Sequence, residues 1–164
     1  MKKIIFLLAV GVTLGWNDQA QKTGYINSQE LISLMPEARV ADSTLEAYML
    51  SLDNQFKTMA TEGQAKMKDY ETNSSTWTDA VKEVKQKELE DLERRMQELQ
   101  ATADQRITEK RTEVYKPLFD KAQKAITEVG NEGGYDYIYD GSALLFAKPS
   151  HNLLPQVKTK LGIK

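Results

Sequence analysis

Two runs of apolar residues spaced by three and four positions, separated by a short polar break, restrict this chain more than any other feature of its sequence. From Ala41 the first run passes through Leu45, Tyr48 or Met49, Leu52, Phe56, Met59, Gly63, Met67 and Tyr70, the spacing of a coiled-coil seam on one side of a helix. Thr72-Asn73-Ser74-Ser75-Thr76 follows, a cluster whose side chains compete for backbone hydrogen bonds and end helices. A second run resumes at about Thr78, with Val81, Val84, Leu89, Leu92, Met96, Leu99, Ala103 and Ile107 on its seam and Val114, Leu118, Ala122, Ile126 and Val129 beyond. The two seams can zip together antiparallel around a tip near Ser74. Counted from Pro36 to Thr72, the first helix is on the order of 50 Å long at 1.5 Å per residue, more than a compact domain of 164 residues can hide. The pair must protrude as an arm.

Punctuation sets the ends of that arm. Met35 precedes Pro36 and is pushed away from helical angles, while Pro36 suits a first helical turn and Glu37 the positive end of the helix dipole. Gly63 costs about 1 kcal/mol of helix propensity relative to Ala and marks a soft point. Pro117 is expected to kink the return helix, and the stretch Gly130 to Gly134 to stop it. Glu83 with Lys87, Glu90 with Arg94 and Asp91 with Arg95 are acid-before-base pairs four apart, each contributing roughly 0.2–0.5 kcal/mol to a helix in water.

The remainder reads as a small β-containing body. Thr23-Gly24-Tyr25-Ile26-Asn27 suits a short strand, and Ser28 is positioned to cap a helical turn through Leu34. Tyr135 to Tyr139, the Asp140-Gly141 turn signal and Ala143 to Ala147 read as a β-hairpin. Asn152 can cap a final helix with Pro155 in its first turn and Gly162 at its end. The expected fold is α+β, mainly α: residues 21–35 begin the body, 36–116 form the hairpin arm with its tip at 72–78, and 117–164 return to the body. Three short strands bury too little surface to stand alone, so a sheet completed by further copies of the chain is expected.

The first 20 residues carry Lys2-Lys3, an apolar run from Ile4 to Leu14 and small or polar residues to Ala20, the layout of a secretory signal peptide. That run is shorter than the roughly 20 residues a spanning helix needs, so no stable membrane anchor is expected. An exported chain without cysteine has no disulfide framework and no thiol for a lipid. With 22 basic and 24 acidic residues the formal charge is -2, which gives no attraction to phosphate backbones, and nucleic acid is not an expected partner.

Catalytic chemistry finds few residues to work with. The one histidine, His151, lies in a Pro-Ser-His-Asn loop without candidate metal or nucleophile partners. Acidic residues alternate with basic ones at pairing spacings, and Gly133-Gly134 follows a helix where a phosphate loop would precede one. Neither an enzyme nor a cofactor is expected. Met49, Met59, Met67 and Met96 lie on or beside the seams, either as adaptable contacts for varied partners or as ordinary core. Trp77 at the tip either faces a partner or closes the helical pair against Tyr70; Met59, Met67, Tyr70, Trp77 and Met96 are the candidate contact residues. Tyr25, Ile26, Tyr137, Ile138, Tyr139, Leu145 and Phe146 are candidates for the body and its interface between copies. Gly63 and Pro117 are the expected points of flexibility.

The order of elements, with Gly24-Tyr25-Ile26-Asn27, Pro36-Glu37, Tyr115-x-Pro117, Ala125-Ile126-x-x-Val129, Gly134-Tyr135 before Tyr139-Asp140, and the closing Leu161-Gly162, resembles the Skp/OmpH family of periplasmic chaperones over the whole chain after residue 20. The resemblance implies a homotrimer whose strands form a small barrel and whose helical arms enclose a cavity. It also implies a Gram-negative periplasmic location, nucleotide-free holding of unfolded outer-membrane proteins, and their handover to the insertion machinery. The best-known members are strongly basic, whereas this chain has a pI near 5.6, and no lipopolysaccharide site is carried over to Arg94-Arg95. The alternative reading is a structural coiled-coil spacer or adaptor of the cell envelope. The loose seam, with its glycine, methionines and proline, favours a deformable arm.

Overall fold

The computed structural model describes residues 21–163; the expected signal segment lies outside them. The elements are β1 (Thr23–Ile26), α1 (Ser28–Leu34), α2 (Pro36–Asn73), α3 (Asp79–Gly133), β2 (Tyr137–Asp140) and α4 (Leu154–Leu161). α2 and α3 pair antiparallel as the arm, and the other elements gather at its base.

Local chemistry explains most boundaries. Met35 sits at φ -71, ψ 131 and ends α1, and Pro36 opens α2 at its first position. The tip is a single 3-10 turn over Ser74–Thr76, after which the Thr78 hydroxyl accepts from the backbone N–H of Val81 to start α3. α3 runs unbroken through Pro117, which lacks the N–H that would bond the carbonyl of Glu113. It stops at Gly134, in the left-handed region at φ 62. There Tyr135 N–H donates to the carbonyl of Gly130 at 2.9 Å, a Schellman arrangement. Asn152 Oδ1 accepts from Leu154 N–H at 2.9 Å at the start of α4. At the other end of α4, Gly162 repeats the left-handed stop at φ 69.

Two expectations about the body need correction. Asn27, not Ser28, caps α1: its Oδ1 accepts from Glu30 N–H at 3.0 Å. The Ser28 hydroxyl, one residue further on, donates to Asp140 instead. The second correction concerns the C-terminal β-hairpin, which does not form. The Asp140 carboxylate accepts from the N–H and hydroxyl of Ser142 at 2.8 and 2.6 Å. The chain therefore curls into a 3-10 turn over Gly141–Ala143, with no strand from Leu144 to Lys148. This side chain-to-backbone bonding replaces the two-residue turn that Asp-Gly usually signals.

β2 pairs with β1 instead, in parallel, with Thr23 opposite Tyr137 and Ile26 opposite Asp140. A parallel pair needs a long crossover, and here the whole arm is that crossover. On its other side β1 carries a bridge to Asn152, and Leu153 N–H donates to the carbonyl of Tyr25 at 2.9 Å. Leu153 lies so near that a Cβ on Gly24 would come within 2.6 Å of its Cδ1, so β1 requires glycine there.

The core is one cluster under this sheet. Leu31, Met35, Leu153 and Val157 are completely or almost completely buried, joined by Ile26, Ile32, Leu118, Ala122, Ala125 and Val129. It reaches into the arm only as far as Ala38 and Ala41 on α2, with Val114 and Tyr115 packed beside it from α3. The small alanines let α2 and α3 approach closely where they enter the body.

Candidate functional site

Beyond Ala41 the arm is thinly packed. Leu45 and Leu52 of α2 and Leu92 and Leu99 of α3 are its buried side chains. Phe56, Met59, Gly63, Tyr70, Leu89 and Met96 are half-buried, and Met67 is 44% exposed. The predicted apolar seam therefore holds near the base and fades toward the tip. A Cβ at Gly63 would meet Leu92 Cδ2 at an ordinary 3.4 Å, so this glycine leaves helix propensity low without being required for close approach.

Polar contacts take over where apolar packing fades. Lys66 Nζ lies 2.7 Å from Glu88 and Lys85 Nζ 3.4 Å from Asp69, and Gln86 donates to the Tyr70 hydroxyl at 3.0 Å. The Lys66 ammonium holds the Glu88 carboxyl below the usual carboxylate range and is itself pushed up by that bond. Asp69 is lowered chiefly by the Asn73 amide, then by Lys85. At the tip Tyr70 and Trp77 meet edge to face, 5.7 Å apart at 74°, with Lys85 5.6 Å above the indole. Of the helix pairs expected four apart, Glu83–Lys87 forms at 3.3 Å. Arg94 corrects the expectation: it reaches Asp91 at 2.9 Å and Glu98 at 3.0 Å instead of Glu90, so Asp91 is taken by Arg94 and not by Arg95.

The candidate contact residues are thus strung along the distal arm and do not converge on one cavity. The body candidates divide. Ile26 is buried in the chain's own core, Ile138 packs against it, and Tyr25 is half-buried. Tyr137 and Tyr139 stack on each other at 6.2 Å and remain about half exposed, while Leu145 and Phe146 stand almost wholly in solvent.

One feature was not foreseen from sequence: linked grooves at the base of the arm. One of about 520 Å³ runs from Ile138 and Tyr139 along Ile126 to Phe119. A second of about 800 Å³ continues between Phe119, Tyr115, Leu45 and Asp42. The Tyr115 hydroxyl donates to Asp42, which pushes the phenol above its ordinary range. Phe119, 55% exposed, was hidden in the sequence as an aromatic directly beside the seam residue Leu118. His151 is exposed, and no group of three or more metal-ligating side chains is placed to hold an ion among the described residues. No helix among them is long and apolar enough to cross a membrane.

This architecture has known counterparts. The sequence matches the family model described as outer membrane protein (OmpH-like) over residues 22–161. It is 26% identical over 160 residues to the chaperone protein Skp of Vibrio cholerae, covering 93% of this chain and 90% of that protein. It is also 24% identical over 163 residues to the Skp of Yersinia enterocolitica, covering 96% and 97%. The fold matches an OmpH-like outer membrane chaperone from Caulobacter crescentus with a TM-score of 0.71 at 12% identity, over 86% of this chain and 83% of that one. A paired-helix arm on a small parallel sheet, matched by the family model along nearly its whole described length, places the chain in the OmpH-like family of non-enzymatic chaperones.

Proposed function

We propose that this protein is an ATP-independent holding chaperone of the Gram-negative periplasm, which binds unfolded outer-membrane proteins between its helical arms and prevents their aggregation before membrane insertion. The observation that carries the reading is the contrast within one chain between a body with a closed core and a long arm with few buried residues and half-exposed Phe56, Met59, Met67 and Met96. An unfolded client has no fixed shape and must leave again without added energy, so many weak, adaptable contacts serve better than one tight pocket.

The reading includes a homotrimer. The outer edge of the two-stranded sheet, with exposed Tyr137 and Tyr139 and the neighbouring Leu145 and Phe146, supports coverage by further copies of the chain. Three arms would then multiply weak affinities through effective concentration. Clients pass from the arms to the insertion machinery of the outer membrane.

The test is light scattering of the purified mature protein, alone and then mixed with a urea-unfolded outer-membrane β-barrel protein diluted into buffer. A trimer that keeps the barrel protein soluble without nucleotide is the expected result. An oligomer that leaves it to aggregate would favour a structural spacer of the envelope.

A further inference from the structure

The charge of α2 is distributed unevenly. Between Val40 and Phe56 this helix carries Asp42, Glu46 and Asp53 and no Lys or Arg. These positions, with Leu45, Met49 and Leu50, fall at steps of three and four and form one face. In the structure these six residues line a single open groove of about 480 Å³, which shares Asp42 and Leu45 with the larger groove beneath Tyr115 and Phe119. Met49 and Leu50 are 45% and 58% exposed, in a stretch where the seam itself is covered by Leu45 and Leu52. Leu50 therefore faces away from the seam, while Met49 stands at its margin, where it also lines a groove with Leu99 and Ala103 of α3; both are open to a partner.

The carboxylates of this face differ in what occupies them. Asp42 accepts from the neutral Tyr115 hydroxyl, and Asp53 meets Lys57 at 2.6 Å on the exposed surface. Among the described residues no Lys or Arg pairs with Glu46. Across the groove α3 contributes Lys116, held by Asp120 at 2.8 Å, and Arg111. The α2 rim is therefore net acidic beside exposed leucine and methionine. The imbalance extends to the whole arm, where residues 36–116 contain 17 acidic and 13 basic side chains.

We infer that this face of α2 is a docking surface for extended client segments that carry Lys or Arg next to large apolar side chains. Apolar client groups would settle on Leu45, Met49 and Leu50, and the cation would meet Glu46 and its neighbours. Complementary charge would speed encounter and select among segments of similar hydrophobicity. The inference rests on the holding reading above and names which segments such a protein would hold first.

Two soluble, unstructured fluorescent peptides with the same Leu and Phe content, one with Lys and one with Glu beside the apolar residues, are the probes. Anisotropy titration of the full mature protein is expected to show the Lys peptide binding several-fold more tightly, with the gap closing in high salt. Glu46→Lys combined with Asp53→Gln should weaken the Lys peptide about tenfold and strengthen the Glu peptide. Leu50→Ser should weaken both, and because Leu50 is exposed the fold should be kept, as circular dichroism would verify. Equal affinity for the two peptides, or unchanged affinity in the variants, would overturn the docking surface. A change in sedimentation mass in the variants would also overturn it, because the face would then be a contact between copies. Clearance of the unfolded barrel protein from solution is measured in parallel. A wild-type protein that keeps the barrel soluble while the peptides fail leaves the holding reading standing and removes only the surface; loss of both removes the reading itself.

Discussion

The body and the arm are built from the same kinds of residue yet hold together differently. In the body, strands from opposite ends of the described chain, three helices and the Leu153 segment bring side chains together from several directions. Leu31, Met35, Leu153 and Val157 lose essentially all contact with water. In the arm, two helices can bury only one stripe of each, and over its distal part even that stripe gives way to Lys66–Glu88 and Lys85–Asp69. Pairs this exposed are screened by salt and contribute little net stability. Two helices alone leave most of each surface in water, whereas the body gains its closed core from packing by several elements at once.

Substitutions should reveal that difference, beginning with the largest. Leu153→Ala removes a fully buried side chain that fills the space left by Gly24, and should cost about 3 kcal/mol, seen as a lowered urea midpoint for the whole protein. Leu52→Ala, in the middle of the arm, should cost about 2 kcal/mol because two helices can partly close the gap. Its effect should appear as faster amide exchange along α2 and α3, with the body unchanged. Equal global unfolding in both variants would erase the distinction between the two regions.

Gly63→Ala sharpens the comparison from the other side. With ordinary space for a Cβ against Leu92, it should stabilise the arm by up to about 1 kcal/mol through helix propensity. The gain should be readable as slower exchange in residues around 56–70, and a stiffer arm should accommodate fewer client sizes.

The smallest effect concerns Asp140, whose carboxyl is held at about 2 by the hydroxyls of Ser142 and Ser28 and the Ser142 N–H. A lowered folded-state pKa stabilises above the ordinary carboxylate pKa, near 3.8, and that contribution is lost as pH falls through about 2. Asp140→Asn should therefore be slightly less stable than wild type at neutral pH, and the two should converge in melts recorded toward pH 2.

The arm was legible in the sequence because its signals are local. Met35-Pro36, the Thr72–Thr76 break, Thr78 and Gly134 each act within a few residues, and the seam period is visible without knowing the partner. The body was less legible because its pairing is not local. Nothing near Tyr137 indicates that its strand runs parallel to Thr23 across the length of the arm, and Asp140-Gly141 has the form of a hairpin turn until Ser142 claims the carboxylate. The distal ion pairs escaped for the same reason. Lys66 and Glu88 are 22 positions apart, and only the folded hairpin separates them from the many charges that face water. The grooves around Phe119 lie between elements, where no periodicity of one helix describes them.

The central claim, a fixed body carrying a deformable arm that holds clients, is tested most directly by hydrogen exchange of the mature protein with and without an unfolded outer-membrane β-barrel protein. Amides of β1, α1 and the α3 segment around Val129 should exchange slowest and stay unchanged. Those of residues 53–91 should exchange much faster and become protected when the client is added. An arm as protected as the body, or client protection confined to the body, would contradict the account.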